Sequence, residues 1–395
     1  MENFDGDVCP NCRAEKMTRF YSVESVPVHS VHLIRARRSA VQFTRGDIVL
    51  GFCPRCSFIS NTAFNPEAVE YITGYEGTQS FSSTFNIFHR RLARYLRERY
   101  KLTNATIIEI GCGQGEFLDL LCEKGANRGI GFDPAYSPER SPFGNVPYLD
   151  FIADEYSEKY SDYRADFVCC KMTLEHIPSP FGFLQTIRNA IGNHHNTRVF
   201  FQVPNAMKVL SDCAFWDIYY EHCSYFSTAA LVRLFQLNDF HVLETWTDYD
   251  DQYIMLCARP GFQGSDPMNL PPGVPIPSAG ELGRFSDAMR KKCDLWRKRL
   301  DAFTRAGKCT VLWGAGSKGV SFISTLNAEN DIAFGIDVNP HKQGTYMPGS
   351  GIPIAVPDEL PRIDPDTVII MNPVYRIEVS RLLKKMNLNV EIITV

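Results

Sequence analysis

Nowhere do the 395 residues approach the roughly 18 consecutive apolar residues that a membrane-crossing helix needs. The opening residues Met1-Glu2-Asn3-Phe4-Asp5 lack the basic-then-apolar order of a secretory leader, so the cytoplasm is the expected compartment. A surplus of positive charge is missing as well. With a formal net charge of -4, no broad face for nucleic acid or an anionic membrane is expected. Without a leader, the 13 cysteines are expected to be thiols and metal ligands rather than a disulfide framework. No apolar helical seam of the kind that drives helix pairing stands out, which makes a monomer the expectation. What is present is an ordinary globular composition, 44% hydrophobic and 22% charged, in a chain too long for a single domain.

Composition divides the chain at three places. Residues 1–85 carry short-strand character and little helical periodicity. Residues 86–262 alternate strands with helices, the strands being expected at 106–110, 128–132, 166–170, 198–203, 240–247 and 252–258, an α/β doubly wound pattern. Residues 263–280 are so rich in proline and glycine that neither a helix nor a central strand fits, and they read as a linker. Residues 281–395 open on a charged helix over about 281–305 and continue as a second, smaller Rossmann-like α/β unit.

Cys9-Pro10-Asn11-Cys12 and Cys53-Pro54-Arg55-Cys56 are two C-P-x-C knuckles with 40 residues between them. Two residues between cysteines let both sulfurs of a knuckle reach one ion, and two knuckles complete a tetrahedral four-thiolate zinc site. Such a closed site offers no open position, so its expected role is structural. A nucleic-acid-binding ribbon is the rival reading. The arginines nearby (Arg35, Arg37, Arg38, Arg45) lack interleaved aromatics, and that argues against it.

The stretch Ile107-Ile108-Glu109-Ile110-Gly111-Cys112-Gly113-Gln114-Gly115-Glu116 is an apolar strand, an acid, a G-x-G-x-G turn and the start of a helix. That order brings backbone close to a nucleotide-sized ligand at the carboxyl edge of a parallel strand. Asp133 ends the next strand, 18 residues past Gly115, where an acid suits two ribose hydroxyls. Lys171 closes a third strand at the same edge, ahead of Thr173-Leu174-Glu175-His176-Ile177-Pro178. His176 is read either as a packing residue or as one facing the ligand. The run from Glu109 to Gly115 resembles motif I of class I S-adenosylmethionine-dependent methyltransferases. The resemblance implies that Glu109, Gly111, Gly113, Gly115, Asp133, Lys171 and His176 surround the methyl donor.

Phe215-Trp216-Asp217-Ile218-Tyr219-Tyr220-Glu221-His222-Cys223-Ser224-Tyr225-Phe226-Ser227 packs six aromatics, two acids and a histidine into 13 residues. An aromatic surface loop is the bland reading. The functional one is an acid–base cluster, with His222 as general base, Glu221 orienting it or binding substrate hydroxyls, and Tyr219 and Tyr225 as oxyanion donors. In the last unit, Gly314-Ala315-Gly316-Ser317-Lys318-Gly319 forms a strand-to-helix turn that can cradle a diphosphate, with Lys318 as countercharge. A packing scaffold, or a nicotinamide cofactor with Asp337 on its ribose, are the alternatives.

Taken over its whole length, the chain resembles the zinc-containing C-methyltransferases that act on nucleotide-linked keto-deoxysugars. Four motifs carry the resemblance: the paired cysteine knuckles, the Glu109–Gly115 turn, Tyr75-Glu76-Gly77-Thr78-Gln79-Ser80-Phe81-Ser82, and Ile218-Tyr219-Tyr220-Glu221-His222 with Ser224-Tyr225-Phe226-Ser227. It implies a four-cysteine zinc module, a class I methyltransferase domain and a C-terminal nucleotide fold. The implied ligands are S-adenosylmethionine, a structural Zn2+ and a nucleotide-linked keto-sugar or related small molecule. The implied catalytic set is His222, Tyr219, Glu221 and Tyr75. Gln79 and Ser80 would close over the donor, while Asn205, Tyr225, Gly314, Gly316, Ser317 and Lys318 would hold the substrate. Tyr220 stands where the family commonly has histidine and Gln202 where it has glutamate, and both positions are expected close to the substrate. Met371-Asn372-Pro373-Val374-Tyr375 replaces a tryptophan-containing segment near the nucleotide. Two other functions fit the same residues: O- or N-methylation of another small molecule, or a zinc-ribbon binding protein with vestigial nucleotide folds.

Overall fold

The computed structural model describes residues 8–14, 16–69, 74–264, 266–270, 272–277 and 279–395. The opening residues read above for a leader, and Ser265, Pro271 and Ser278 of the expected linker, lie outside them. In the first segment β1 (Thr18–Pro27), α1 (Arg37–Val41), β2 (Arg45–Phe52) and β3 (Ile59–Asn61) follow in order, the three strands pairing antiparallel. The four knuckle cysteines sit just before β1 and between β2 and β3.

The middle segment runs α2 (Ser83–Tyr100), β4 (Thr106–Ile110), α3 (Glu116–Cys122), β5 (Arg128–Phe132), β6 (Leu149–Ile152), β7 (Phe167–Lys171), α4 (Pro180–Ile191) and β8 (Arg198–Pro204). It continues through α5 (Ala206–Asp212), β9 (Ser224–Tyr225), α6 (Thr228–Leu237), β10 (Phe240–Asp248) and β11 (Tyr253–Pro260). Seven strands form one sheet in the order β10-β11-β8-β7-β4-β5-β6. β8 through β6 are parallel, and β11 and β10 are antiparallel. β4 and β7 are buried on both faces by flanking helices, hence their mostly apolar sequences, which Glu109 interrupts in β4 and Lys171 ends in β7. β5 and β7 leave β4 in opposite directions, so a crevice opens at the carboxyl end of β4, the topological switch point where ligands bind in such sheets. The six strands expected here all form, within two residues at their ends. β6 was not expected. Its four residues, Leu-Asp-Phe-Ile, make a short edge strand without a pattern of its own.

The last segment contains α7 (Ala279–Arg305), β12 (Thr310–Trp313), α8 (Ser317–Leu326), β13 (Phe334–Ile336), β14 (Ile354–Ala355), α9 (Leu360–Ile363), β15 (Thr367–Ile370), α10 (Arg376–Lys385) and β16 (Glu391–Thr394). Its five strands, in the order β14-β13-β12-β15-β16, are all parallel, and again the glycine-rich turn leaves the central strand at the switch point.

The units are not beads on a string. β9 hydrogen-bonds to β3 and so joins the N-terminal sheet. One apolar core unites Val26, Ile48 and Leu50 with Phe215, Trp216 and Ile218 and with Leu282, Phe285, Met289 and Phe322. A second link comes from α10: Glu378 Oε2 accepts from the Thr84 amide at 2.9 Å and from the hydroxyls of Ser82, Ser83 and Thr84. It caps the first turn of α2 from another domain. These donors hold the Glu378 carboxyl below its ordinary range despite desolvation. A depressed carboxyl stabilises the fold above its unfolded pKa and loses that stabilisation as pH falls. Glu378→Gln should therefore lower unfolding stability by about 1–2 kcal/mol at neutral pH. The difference from wild type should vanish towards pH 3 in paired denaturant titrations.

Candidate functional site

A single cavity of 1540 Å3 opens against the carboxyl edges of both parallel sheets. Cavities for one small ligand run to roughly 300–1,000 Å3, so there is room for two. Its donor side begins at the turn after β4. Gly111, Gly113 and Gly115 have φ of +72°, +57° and +97°, a left-handed run that side chains disfavour. A Cβ on Gly111 would lie 1.9 Å from Thr173 Oγ1. Asp133, at the end of β5, accepts from the amides of Gly113 and Ala135, each at 2.8 Å, and so clamps the turn while lining the cavity. Burial raises its pKa. Gly115 caps α3 and packs towards Phe151, off the cavity wall.

Behind the turn, burial pushes the Glu109 carboxyl up to about 8, with Lys171 working against that rise. Lys171 Nζ lies 3.1 Å from His89 Nε2 and over the ring of Phe117. The strap from Tyr75 to Ser82 forms the roof. Gln79 Oε1 accepts from the Tyr375 hydroxyl at 2.8 Å, Thr78 Oγ1 donates to Glu116 at 2.9 Å, and the Ser80 amide donates to Thr78 Oγ1 at 3.2 Å. Glu76 binds Arg140 and accepts from Asn339 Nδ2 at 3.1 Å. Tyr75, Gln79 and Ser80 all face the cavity. The crevice, its positive-φ turn and its carboxylates thus fit the methionine and ribose parts of S-adenosylmethionine.

On the acceptor side, Tyr219 and His222 line the cavity with ring centroids 4.1 Å apart, and the His176 ring stands 4.7 Å from that of His222. Desolvation holds His222 well below its ordinary pKa and takes His176 down to about 4, so both rings are neutral at pH 7. His176 Nδ1 lies 3.1 Å from the Glu221 carbonyl oxygen. Asn205 also reaches the cavity, with its amide capping α5 and donating to the Asp251 carbonyl.

Other expected residues are placed differently. The Glu221 carboxylate turns away from His222 to His29, at 3.1 Å, and to the hydroxyl of Ser30, so it orients neither the base nor a substrate. Tyr225 is buried in the shared core, its hydroxyl 3.4 Å from the Tyr219 carbonyl, rather than on the cavity wall. Tyr220 faces the N-terminal sheet, against Gly46 and Phe64, and accepts from the Asn65 amide at 2.9 Å. Gln202, a residue of β8 itself, is fully buried and is not part of the wall. The aromatic-rich run therefore serves the core at most positions and the cavity at Asp217, Tyr219 and His222.

Gly314, Gly316, Ser317 and Lys318 form the far wall. Lys318 is not a free countercharge, because its Nζ sits 2.5 Å from Asp217 Oδ1 and 3.4 Å from Gln252 Oε1. A second cation was missed in the sequence. Lys342, paired with Asp337 at 3.2 Å, would lie 3.4 Å from a Cβ on Gly316. His89 and Glu175 were missed too. His89 is a polar residue on the apolar face of α2, a signal that helix pattern carries, whereas Glu175 sits in the turn after β7, where no pattern marks it. The turn's amides with Lys342 fit an anionic group such as a phosphate.

Outside the cavity, the sulfurs of Cys9 and Cys56 and of Cys12 and Cys53 are 3.6 Å apart, and all four lie within 4.8 Å of one another. A tetrahedron with Zn–S bonds of about 2.3 Å needs sulfurs slightly under 4 Å apart, so the set fits zinc. Asn11 Nδ2 reaches Cys56 Sγ at 3.5 Å, as an outer-shell donor does.

Residues 84–245 match the family model described as a methyltransferase domain, and residues 277–393 match a C-methyltransferase C-terminal domain. The C-methyltransferase NovU of Streptomyces niveus is 25% identical over 304 residues, 71% of this chain and 70% of that one. A ubiquinone biosynthesis O-methyltransferase of Saccharophagus degradans is 32% identical over 98 residues, 22% of this chain and 39% of its own. Among solved structures, the 1,6-didemethyltoxoflavin-N1-methyltransferase of Burkholderia thailandensis, bound to S-adenosylhomocysteine, aligns at a TM-score of 0.35. It is 15% identical and covers 46% of this chain and 84% of its own. The protein PH0226 of Pyrococcus horikoshii aligns at 0.38 with 15% identity over 46% and 94% of the two chains. The chain is an S-adenosylmethionine-dependent methyltransferase. Its C-terminal domain, and the relative that spans most of the chain, make it similar to the C-methyltransferases. No helix among the described residues is long and apolar enough to cross a membrane.

The two glycines should behave differently on substitution. Gly111→Ala forces a clash with Thr173 and should lower both the melting temperature and donor affinity. Gly113→Ala, whose Cβ meets nothing nearer than Glu116 Oε2 at 3.9 Å, should cost only about 1–2 kcal/mol of stability. It should still weaken binding of S-adenosylhomocysteine at least tenfold in calorimetry, because the added methyl fills donor space.

Proposed function

We propose that the protein methylates a carbon adjacent to a ketone in a nucleotide-linked deoxysugar. One observation carries this reading: two glycine-rich turns on separate nucleotide folds line one cavity, and His222 and Tyr219 line it with them. The donor, when bound, supplies an electrophilic methyl group. The turn after β4 and Asp133 hold it, and the strap from Tyr75 to Ser82 excludes water from it. The turn at Gly314–Ser317, with Lys342 beside it, holds the diphosphate of the acceptor. Both lysines carry an acid partner, Asp217 for Lys318 and Asp337 for Lys342, and Lys342 ranks first because its Nζ lies against the turn, 3.4 Å from where a Cβ on Gly316 would be.

Carbon is a poor nucleophile until a neighbouring carbonyl allows it to lose a proton. His222 is the proton acceptor in this reading, since burial keeps its ring neutral and its nitrogen lone pair available. Tyr219, beside it, and Tyr75, across the cavity, keep their phenolic protons because burial raises both pKa values. They can therefore donate to the enolate oxygen. Holding the nucleophilic carbon against the methyl group supplies much of the rate. Glu221 acts at one remove, through the loop it anchors. Zinc in the four-cysteine site supplies folding energy and no chemistry, and Cys9, Cys12, Cys53 and Cys56 hold it.

His222→Asn should retain donor affinity in calorimetry and lose methyl transfer by about 100-fold or more. Labelled donor should leave its methyl on carbon, in a bond that survives acid hydrolysis. Label released by that treatment would assign the protein to O- or N-methylation instead. For the metal, elemental analysis should give one zinc per chain held by the four cysteines. Cys12→Ser should release it and lower the melting temperature, and an unchanged melting temperature on zinc loss would remove its structural role.

A further inference from the structure

Three polar side chains on the donor side of the cavity meet without neutralising one another. Glu109 of β4 stands in register with Cys169 of β7, so Lys171, two residues further on, projects from the same face of the sheet. Glu109, Lys171 and His89 of α2 all line the cavity. Glu109 Oε2 is buried without a hydrogen-bond partner. Among the described residues, Lys171 Nζ has one partner at hydrogen-bond distance, His89 Nε2 at 3.1 Å. An ammonium has donors only, so the imidazole accepts, neutral and with its own proton on Nδ1. Desolvation and the charge of Lys171 hold His89 well below its ordinary pKa, as that role requires.

The pair is fixed by its surroundings. The centroids of Phe85 and Phe117 lie 4.0 and 5.2 Å from that of the His89 ring. The same two rings flank the ammonium, with Nζ at 5.9 and 5.1 Å from their centroids. Glu109 does not act as counterion, because burial pushes its carboxyl up to about 8 and leaves it largely protonated at pH 7. An ordered ammonium therefore stands on the cavity wall with N–H groups to spare and no acid of the chain bound to it. A lysine in that setting is a receptor for an anion.

We propose that Lys171, held in place by His89, binds the α-carboxylate of the methyl donor. That carboxylate is the donor's one anionic group. It belongs to the methionine part, which the turn after β4 meets, and Lys171 closes the adjacent strand at the same edge of the sheet. His89 touches no ligand atom in this arrangement, since its Nε2 is taken by Lys171, and it is a positioning residue. A lysine side chain is flexible and loses much rotamer freedom when it is fixed. His89 fixes it before the donor arrives, so that cost does not fall on binding. Anchoring the carboxylate also sets how far the sulfur reaches towards the acceptor wall. Donor and demethylated product keep the contact, whereas an adenosyl compound without the carboxylate loses it.

Calorimetry without any acceptor should compare S-adenosylhomocysteine with its decarboxylated analogue, which keeps the amine. Wild type should bind S-adenosylhomocysteine at least tenfold more tightly. Lys171→Met should weaken S-adenosylhomocysteine at least tenfold. It should leave the analogue within about twofold of wild type, or tighter, because a repelling ammonium is gone. His89→Phe should show the same selective loss at smaller size. Disturbed packing would weaken both ligands alike, so selectivity separates positioning from structure. The proposal is overturned if wild type binds the two ligands equally, or if folded Lys171→Met weakens both alike or neither. The part of His89 is overturned if folded His89→Phe binds S-adenosylhomocysteine as wild type does, or loses both ligands equally. If neither variant folds by circular dichroism, the wild-type comparison decides. Failure here leaves methyl transfer to carbon standing, and failure to find a carbon-methylated product leaves the carboxylate site standing.

Discussion

The acceptor loop is held by burial rather than by secondary structure, and the site depends on that. Between α5 and α6 the backbone forms a single 3-10 turn at Phe215–Asp217 and a two-residue strand. It is fixed in place because Phe215, Trp216, Ile218, Tyr220 and Tyr225 are pressed into a core that also contains the N-terminal sheet and the C-terminal α/β unit. Ser321 of α8 adds hydrogen bonds to the carbonyls of Phe215 and Ile218. Tyr219 and His222, one helical turn's spacing apart, are the ring-bearing residues left to face the cavity. Aromatic surface of this size is worth several kcal/mol per residue when buried, enough to order a loop that regular hydrogen bonding does not.

That arrangement explains which parts of the site a linear reading reaches. Strands with dense apolar runs, such as Ile107–Ile110 (interrupted by Glu109) and Phe167–Cys170, announce themselves, and so do turns whose glycines sit at fixed spacing. Loop side chains do not, because direction in a loop follows tertiary packing and no period encodes it. Hence the aromatic run identified the right segment and misplaced Glu221, Tyr220 and Tyr225 within it. Glu221 was paired with its sequence neighbour. In space it meets His29 and Ser30, some 190 residues earlier. Lys318 was assigned an anion because it follows a glycine-rich turn, yet Asp217 of another domain reaches it first. Only the fold brings Lys342 to the same turn.

The N-terminal module also gains a clearer purpose. Ser30 donates to the Glu221 carboxylate, and its Oγ lies 2.7 Å from Ser317 Oγ, whose hydroxyl proton is the one left to complete that contact. One short hydroxyl side chain therefore joins the base of the acceptor loop to the turn of the C-terminal nucleotide fold. β3 pairs with β9 immediately beyond His222. A structural metal that orders the knuckles around β2 and β3 would thus act on the reaction through the position of the loop, although it lies outside the cavity.

The roof of the donor site is built from contacts with the C-terminal unit. Tyr375 holds Gln79, Asn339 holds Glu76, and Glu378 caps the helix that the strap leads into. Gln252 and Asn372 exchange paired amide hydrogen bonds of 2.9 and 3.1 Å across the same boundary. On the proposed reading, an acceptor anchored on the Gly314–Ser317 turn would favour the domain arrangement in which both turns reach their ligands and these contacts to the strap are made. By linkage, the factor by which bound acceptor tightens donor binding would equal the factor by which bound donor tightens acceptor binding. A methyl donor in an open crevice meets water as readily as carbon. Tying the roof to the domain that carries the acceptor makes exclusion of water conditional on the acceptor's presence.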